Sequence, residues 1–154
     1  MKKPVLIIIA IIYILAIAVV GFLGIPARVY NPKVFVEDIE LSFDSKLTPV
    51  AITEKDKDVD YKFRVNSTTE VSFYVSAKVL PNEATEKKCA FERIDTTSYI
   101  TMSTPELKGD YTTATFTCDV ASMPSTTTSV YFKVRPLDGN KNLVKFVKIY
   151  IQKK

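Results

Sequence analysis

Histidine and tryptophan are absent from this chain, and it has only four glycines. Without histidine the chain cannot activate a serine or cysteine nucleophile through an imidazole, bind zinc through imidazole ligands or use an imidazole proton shuttle. The glycines are too far apart for a glycine-rich phosphate loop; they are Gly21, Gly24, Gly109 and Gly139. The absence of tryptophan removes the best stacking residue for sugars. We therefore expect no enzyme activity and no cofactor.

Excess charge of one sign is also lacking. The formal net charge is +4. Two of the basic residues, Lys2 and Lys3, are separated from the other charged residues by a long apolar run. The small excess that remains does not indicate nucleic acid binding. Five lysines without an acid among them lie in 141–154, namely Lys141, Lys145, Lys148, Lys153 and Lys154. Such a row either solvates an edge strand or contacts an anionic polymer or lipid headgroup.

The longest uncharged run, 4–25, predicts a membrane-spanning helix. At about 1.5 Å per residue it would extend about 33 Å, enough to cross a bilayer core of about 30 Å. A signal peptide is the alternative, but the best small-x-small cleavage site, Ala16-Ile17-Ala18, lies inside the run. We expect an uncleaved signal-anchor.

The anchor would comprise 1–25, followed by a short linker, 26–33, and one domain, 34–154. The flanking positive charges differ little between the two sides. The threonine-rich domain and its two cysteines favour a location outside the cytoplasm. The expected topology is therefore a single-pass protein of the cell membrane with its N-terminus cytoplasmic and its C-terminal domain outside.

Apolar residues alternate with polar ones after the linker, as in half-buried β-strands. The alternation is clear in 39–43, 70–80, 113–120, 130–135 and 144–151. The stretch Leu137–Asn140 is typical of a hairpin turn. The apolar parity changes between Phe146 and Val147, which predicts a β-bulge there. The predicted fold is all-β, an Ig-like β-sandwich of about seven strands, preceded by one transmembrane helix.

The stretch Val79–Phe91 resembles the signature of the bacterial Ig-like domains of group 2, found in intimin-like and invasin-like surface proteins. Pro81, Ala84 and Thr85, with Lys87 or Lys88, match the family's strand-ending Pro and its Ala-Thr-x-Lys turn. Cys89 and Phe91 stand where the family usually has Val and Trp. The resemblance implies an Ig-like fold, and members serve mostly as spacers and adhesion modules.

The two cysteines, Cys89 and Cys118, both occupy predicted core-facing positions. A disulfide between them would close a loop of about 30 residues and stabilise the domain by about 3 kcal/mol. Two buried free thiols are the alternative.

One acidic segment, with Asp56, Asp58 and Asp60, superficially matches the start of a calcium loop. An EF-hand would need Gly and Glu where the chain has Tyr61 and Ser67. A solvated turn is the alternative to a calcium site.

Two binding functions fit these features. The first is an interaction module for another envelope or membrane protein, with a candidate surface of Tyr99, Tyr111, Tyr131, Lys145 and Lys148. The alternative is a cell-surface adhesion or wall-glycan binding module. The first requires an exposed aromatic patch, and the second requires a shallow groove with an aromatic platform beside Asp, Asn or Gln.

Overall fold

The computed structural model describes residues 3–23, 32–44, 47, 49–55 and 57–154. The chain forms two compact units, Met1–Pro32 and Lys33–Lys154. Most of the predicted linker, 26–31, lies outside the described residues.

In its described part, the first unit contains helix α1 (Lys3–Leu23). Over the described residues, no helix is both long and apolar enough to cross a membrane. On this finding the predictions of a transmembrane helix and of a signal-anchor are wrong.

The second unit is built from two β-sheets. Its described strands are β1 (Asp38–Phe43), β2 (Pro49–Lys55), β3 (Asp58–Val65), β4 (Glu70–Leu80), β5 (Cys89–Arg93), β6 (Ile100–Met102), β7 (Glu106–Lys108), β8 (Tyr111–Asp119), β9 (Thr127–Pro136) and β10 (Lys145–Lys153). Sheet 1 has the order β1-β4-β8-β6, with β7 also paired to β8, and sheet 2 has the order β2-β3-β10-β9-β5. Strands β3 and β10 are parallel, and the other pairs are antiparallel.

This strand order is compatible with an immunoglobulin-type sandwich. Sheet 1 follows the A-B-E-D order of that fold, and β10, β9 and β5 of sheet 2 follow its G-F-C order. The described part of the chain has ten strands, so the expectation of about seven was too low. The additional strands include β2 and β7, whose described side chains are all exposed. Such strands carry no apolar alternation that the sequence could reveal.

Phenylalanines from both sheets meet in the core. Phe63 of sheet 2 packs edge-on against Phe73 of sheet 1, with ring centroids 5.0 Å apart. Phe73 stacks on Phe116 at 5.5 Å, and Phe116 contacts Phe132 of sheet 2 at 4.7 Å. Each of these side chains is at most 2% exposed. Burial of each ring contributes about 1.5–3 kcal/mol, so this row of rings is a major link between the sheets.

Strand β10 is regular, and the predicted β-bulge between Phe146 and Val147 is wrong. Lys145, Val147 and Ile149 are buried, whereas the residues between them are partly exposed. The pairing with β9 runs through this region without a shift. Phe146 therefore lies on the outer face. Among the described strands, a register shift lies in β2, between Pro49 and Ala51.

The turn between β9 and β10 confirms the predicted hairpin and also fixes the start of the domain. Asp138 is only 7% exposed, and its carboxylate accepts hydrogen bonds from the Val36 amide at 2.7 Å and the Asn140 amide at 2.9 Å. The Asn140 side chain donates to the Val36 carbonyl at 3.2 Å. Gly139 has a φ of 96°, a conformation that favours glycine. The turn thereby binds a segment about 100 residues earlier in the chain.

The stretch that carries the family resemblance forms the connection from β4 to β5. It begins with a cis peptide bond between Leu80 and Pro81. Ala84 is buried, and its amide donates to the Pro81 carbonyl. Thr85 bonds Val34 through both its amide and its hydroxyl. This connection therefore also secures the start of the domain, while membership of the family stays a prediction.

Candidate functional site

The outer face of sheet 2 combines aromatic and charged side chains. Side chains alternate between the two faces of a strand, so every second residue of β3, β10 and β9 points away from the core. This outer face carries Asp58, Asp60, Lys62 and Arg64 from β3, Phe146, Lys148, Tyr150 and Gln152 from β10, and Ser129, Tyr131 and Lys133 from β9. Three neighbouring strands in the middle of one sheet therefore hold the whole set on a rigid support.

Strand register brings the aromatic residues of the outer face together. Lys148 lies between Tyr131 of β9 and Asp60 of β3. The rings of Tyr131 and Phe146 stack with centroids 6.2 Å apart and an interplanar angle of 27°. The Lys148 ammonium lies 4.9 Å from the centroid of the Tyr150 ring. These contacts cover part of each ring and leave the side chains partly exposed.

These side chains line an open groove of about 480 Å³, which we call the aromatic groove. Its lining consists of Asp58, Asp60, Tyr131, Phe146, Lys148 and Tyr150. The lining thus combines three aromatic rings with two carboxylates and one ammonium. The groove can therefore contact an apolar group and a charged group of one partner together.

Charges near the groove differ in whether they are already paired. At the β9 side, Glu92 forms ion pairs with Lys133 at 2.8 Å and with Arg135 at 2.5 Å. Hydrogen bonds from these two side chains hold the pKa of Glu92 below its usual value. In contrast, Asp58, Asp60 and Lys62 form no ion pair with any described residue. The unpaired charges of the outer face are thus concentrated on β3.

Of the residues predicted for an interaction surface, Tyr131 and Lys148 lie in the aromatic groove. Tyr99 packs against the core, and its hydroxyl accepts a hydrogen bond from the Thr128 hydroxyl at 2.9 Å. Tyr111 is exposed, but it lies on β8 of sheet 1. The predicted residues therefore do not form one surface.

Lys145 is not part of the surface, contrary to the prediction. It is only 8% exposed, and its ammonium bonds Glu54 at 2.9 Å and Asp38 at 3.3 Å. Burial alone would lower the pKa of Lys145, but the hydrogen bond to Glu54 and the charge of Asp38 raise it above the usual value. Lys145 thereby links β1 of sheet 1 to β2 of sheet 2.

Sequence reasoning missed Phe146 and Tyr150 as members of the site. The expected bulge assigned Phe146 to the core, and Tyr150 was not among the residues predicted for an interaction surface. The signal was present in the alternation of β10, because Val147, Ile149 and Ile151 share one parity and the two aromatic residues share the other. An unbroken strand would have placed both on the outer face.

Of the two alternatives for the candidate disulfide pair, the structure has the second, because Cys89 and Cys118 are both free and buried. The Cys89 amide donates to the Thr112 hydroxyl at 3.0 Å. Thr112 lies six positions from Cys118 along β8, about 20 Å away at about 3.3 Å per residue. A disulfide requires Cα atoms within about 7 Å. Burial raises the pKa of Cys89 to about 12 and that of Cys118 to about 11.

The calcium candidate does not form a metal site in the part of the chain that the structure describes. Asp56 lies outside the described residues. Asp58 and Asp60 are both exposed on one face of β3. No group of three or more His, Cys, Asp or Glu residues among those described could hold a metal ion. The two aspartates belong instead to the lining of the aromatic groove.

The outer face of sheet 1 has a different chemistry. Its hydroxyl groups bond one another across the strands, Ser72 to Thr117 at 3.0 Å and Ser76 to Thr113 at 2.8 Å. Its central aromatic residue, Tyr74, is 40% exposed and lies opposite Thr115. This face provides a natural control for experiments on the aromatic groove.

No model of a protein family matches this chain, and no curated protein matches it. The geometry of the aromatic groove is therefore the basis for a functional assignment.

Proposed function

We propose that the β-domain is a protein-interaction module and that it binds its partner through the aromatic groove. The observation that carries this proposal is the concentration of Tyr131, Phe146 and Tyr150 on one outer face beside unpaired charges. Aromatic residues are enriched at the centres of protein interfaces because they bury a large area with few rotatable bonds.

The position of the groove supports the proposal. Its rings stand on β9 and β10, which pair over eight residues, and β10 pairs with β3 over eight more. The inner faces of the same strands carry the buried residues Phe63, Phe132 and Ile149. A binding surface on such a support needs little reorganisation when a partner docks, and this lowers the free-energy cost of association.

The family resemblance adds a location to the proposal. Group 2 bacterial Ig-like domains belong to surface proteins, so the proposed partner is a protein of the cell envelope, and the domain would work outside the cytoplasm.

Carbohydrate binding is a second candidate, because Asp58 and Asp60 stand beside the aromatic rings. Sugars, however, stack on open ring faces. Here Tyr131 and Phe146 cover each other, and Lys148 lies over Tyr150. Protein binding is favoured because a protein can also contact ring edges.

Site-specific photocrosslinking in cells tests the proposal. A benzophenone amino acid would replace Tyr131 or Tyr150 in the groove, and Tyr74 on sheet 1 would serve as the matched control. We expect irradiation to give one protein adduct that is shared by positions 131 and 150 and absent at position 74. A glycan adduct would favour the second candidate. The proposal fails if the groove positions give no protein adduct, or the same adducts as position 74.

A further inference from the structure

Strand β3 has an ordered charge pattern on its outer face. Its exposed positions are acid, acid, base and base, in the order Asp58, Asp60, Lys62 and Arg64. Asp58, Asp60 and Lys62 form no ion pair with any described residue, and Arg64 makes one hydrogen bond, to Gln152 at 3.2 Å. In the opposite direction, from Arg64 to Asp58, the order is base, base, acid and acid. Two copies of the strand that run antiparallel therefore place an acid opposite a base at all four positions.

We propose that the partner of the aromatic groove is a second copy of this chain. The two outer faces would pack with a twofold axis that lies between them and crosses the strands midway between Asp60 and Lys62. Strand β3 of one copy would then run antiparallel to β3 of the other. Asp60 of each copy would face Lys62 of the other copy, and Asp58 would face Arg64, so four acid–base contacts form from one strand.

The neighbouring strand fits the same axis. Lys148 is level with Asp60, and Tyr150 is level with Lys62, because β10 pairs with β3 in parallel register. The axis therefore brings Lys148 of one copy over the Tyr150 ring of the other. Lys148 already makes such a contact with its own Tyr150, at 4.9 Å. In the dimer, Lys148 of each copy would contact the Tyr150 ring of the other copy instead of its own. The same cation–π contact would then lie in the middle of the interface.

The size of the face sets the expected strength. The three strands β3, β10 and β9, spaced about 4.8 Å apart and each with seven residues at about 3.3 Å, give a projected area of about 330 Å². A stable complex usually buries about 800 Å² on each partner. We therefore expect a weak dimer that forms at high protein concentration. Its formation should decrease as salt increases, because ions screen the charges.

Charge exchange tests the inference, which rests on the proposed function of the groove. The full-length chain is compared with the single variants D60K and K62D by sedimentation equilibrium. Each variant places like charges opposite each other twice, so we expect its dimer to weaken at least about tenfold. In an equimolar mixture, the lysine introduced at position 60 of one variant faces the aspartate introduced at position 62 of the other, and both contacts have opposite charges again. The mixture should recover the wild-type association.

Control K78D reverses a charge on the outer face of sheet 1 and should associate like the wild type. The inference is overturned if the wild type stays monomeric, if neither single variant weakens association, or if the mixture does not recover it. Photocrosslinking keeps this failure distinct from failure of the proposed function. A monomeric wild type with an adduct to a different protein at Tyr131 excludes the second copy and leaves the interaction function in place. A monomer without protein adducts contradicts both.

Discussion

Removal of the Asp138 carboxylate should destabilise the β-domain strongly. Asp138 is buried in the turn between β9 and β10, and it accepts hydrogen bonds from the amides of Val36 and Asn140. Val36 is itself only 1% exposed, so water cannot replace the lost acceptor without opening the structure. Asp138→Ala therefore leaves a buried donor without a partner and removes one of the hydrogen bonds that hold the chain ahead of β1.

The expected loss is about 2–4 kcal/mol. A hydrogen bond to a charged group contributes about 1.5–3 kcal/mol, and an unsatisfied buried amide costs about 1–3 kcal/mol. The Asn140 amide is only partly buried and can recover some energy from water. For a domain of this size, about 3 kcal/mol corresponds to a decrease in Tm of roughly 10 °C. Asp138→Asn keeps one acceptor oxygen for Val36 and should lose about half as much.

Urea and thermal unfolding followed by circular dichroism measure this loss, since the chain has no tryptophan for fluorescence. Asp110→Ala is the matched control, because Asp110 is an exposed aspartate whose ion pair with Lys87 lies at the surface. Its removal should leave the midpoint unchanged. A midpoint for Asp138→Ala equal to the wild type, or equal to that of Asp138→Asn, would refute the reasoning. The first result would mean that Val36 finds another acceptor, and the second that the amide oxygen contributes nothing.

Three further substitutions or treatments test other parts of the structure. Thr112→Val removes the hydroxyl that accepts from the Cys89 amide and should cost about 1–3 kcal/mol in urea unfolding, whereas Thr112→Ser should retain most of the stability. A thiol reagent should modify Cys89 and Cys118 only as fast as the protein unfolds, because both are buried with raised pKa values; fast modification of the native protein would contradict their burial. Lys145→Met should change the free energy of unfolding at neutral pH by less than about 1 kcal/mol, because its two carboxylate partners are more than half exposed and can return to water. The pKa of Lys145 is raised in the folded state, so its contribution to stability is complete below its usual value of 10.5 and is lost as the pH rises through the folded value. Unfolding at high pH should therefore show a smaller pH dependence in Lys145→Met, and an unchanged dependence would exclude the ion pairs.

Strands with one buried and one exposed face were predictable from the sequence. In β4, β8 and β9 the alternation of apolar and polar residues matches the burial that the structure shows. Strands β2 and β7 lie at the surface with exposed described side chains, so they left no such pattern. Their existence depends on pairing with β3 and β8, which a local reading of the sequence does not contain.

The error in β10 came from two residues that break the usual rule for burial. Phe146 is apolar and lies on the outer face, while Lys145 is charged and lies inside. The predicted bulge placed Phe146 in the core, and it did so only by placing Lys145 outside. Lys145 can be buried because Glu54, which is 91 positions earlier, and Asp38 supply its counter-charges. Partners at such a distance cannot be found by counting parity along one strand.

The residues around strand β3 indicate different functions when they are treated as loop positions and when they are treated as alternating strand positions. Read as consecutive loop positions, Asp56, Asp58 and Asp60 suggest a calcium site. Read with a period of two, 58–65 separates into a buried apolar row and an outer row of two acids followed by two bases. The second interpretation needs only the strand itself, so the charge order was available from the sequence. The aromatic rings beside this charge row were not predictable from the sequence of β3, because they lie on β10, which pairs with β3 from the far end of the chain.

If the charge order selects a second copy, exchanging Asp60 and Lys62 within one chain, in the double variant D60K/K62D, should preserve self-association while preventing pairing with the wild type. Loss of self-association in that double variant would show that the partner recognises the individual positions and not the complementarity of the pattern.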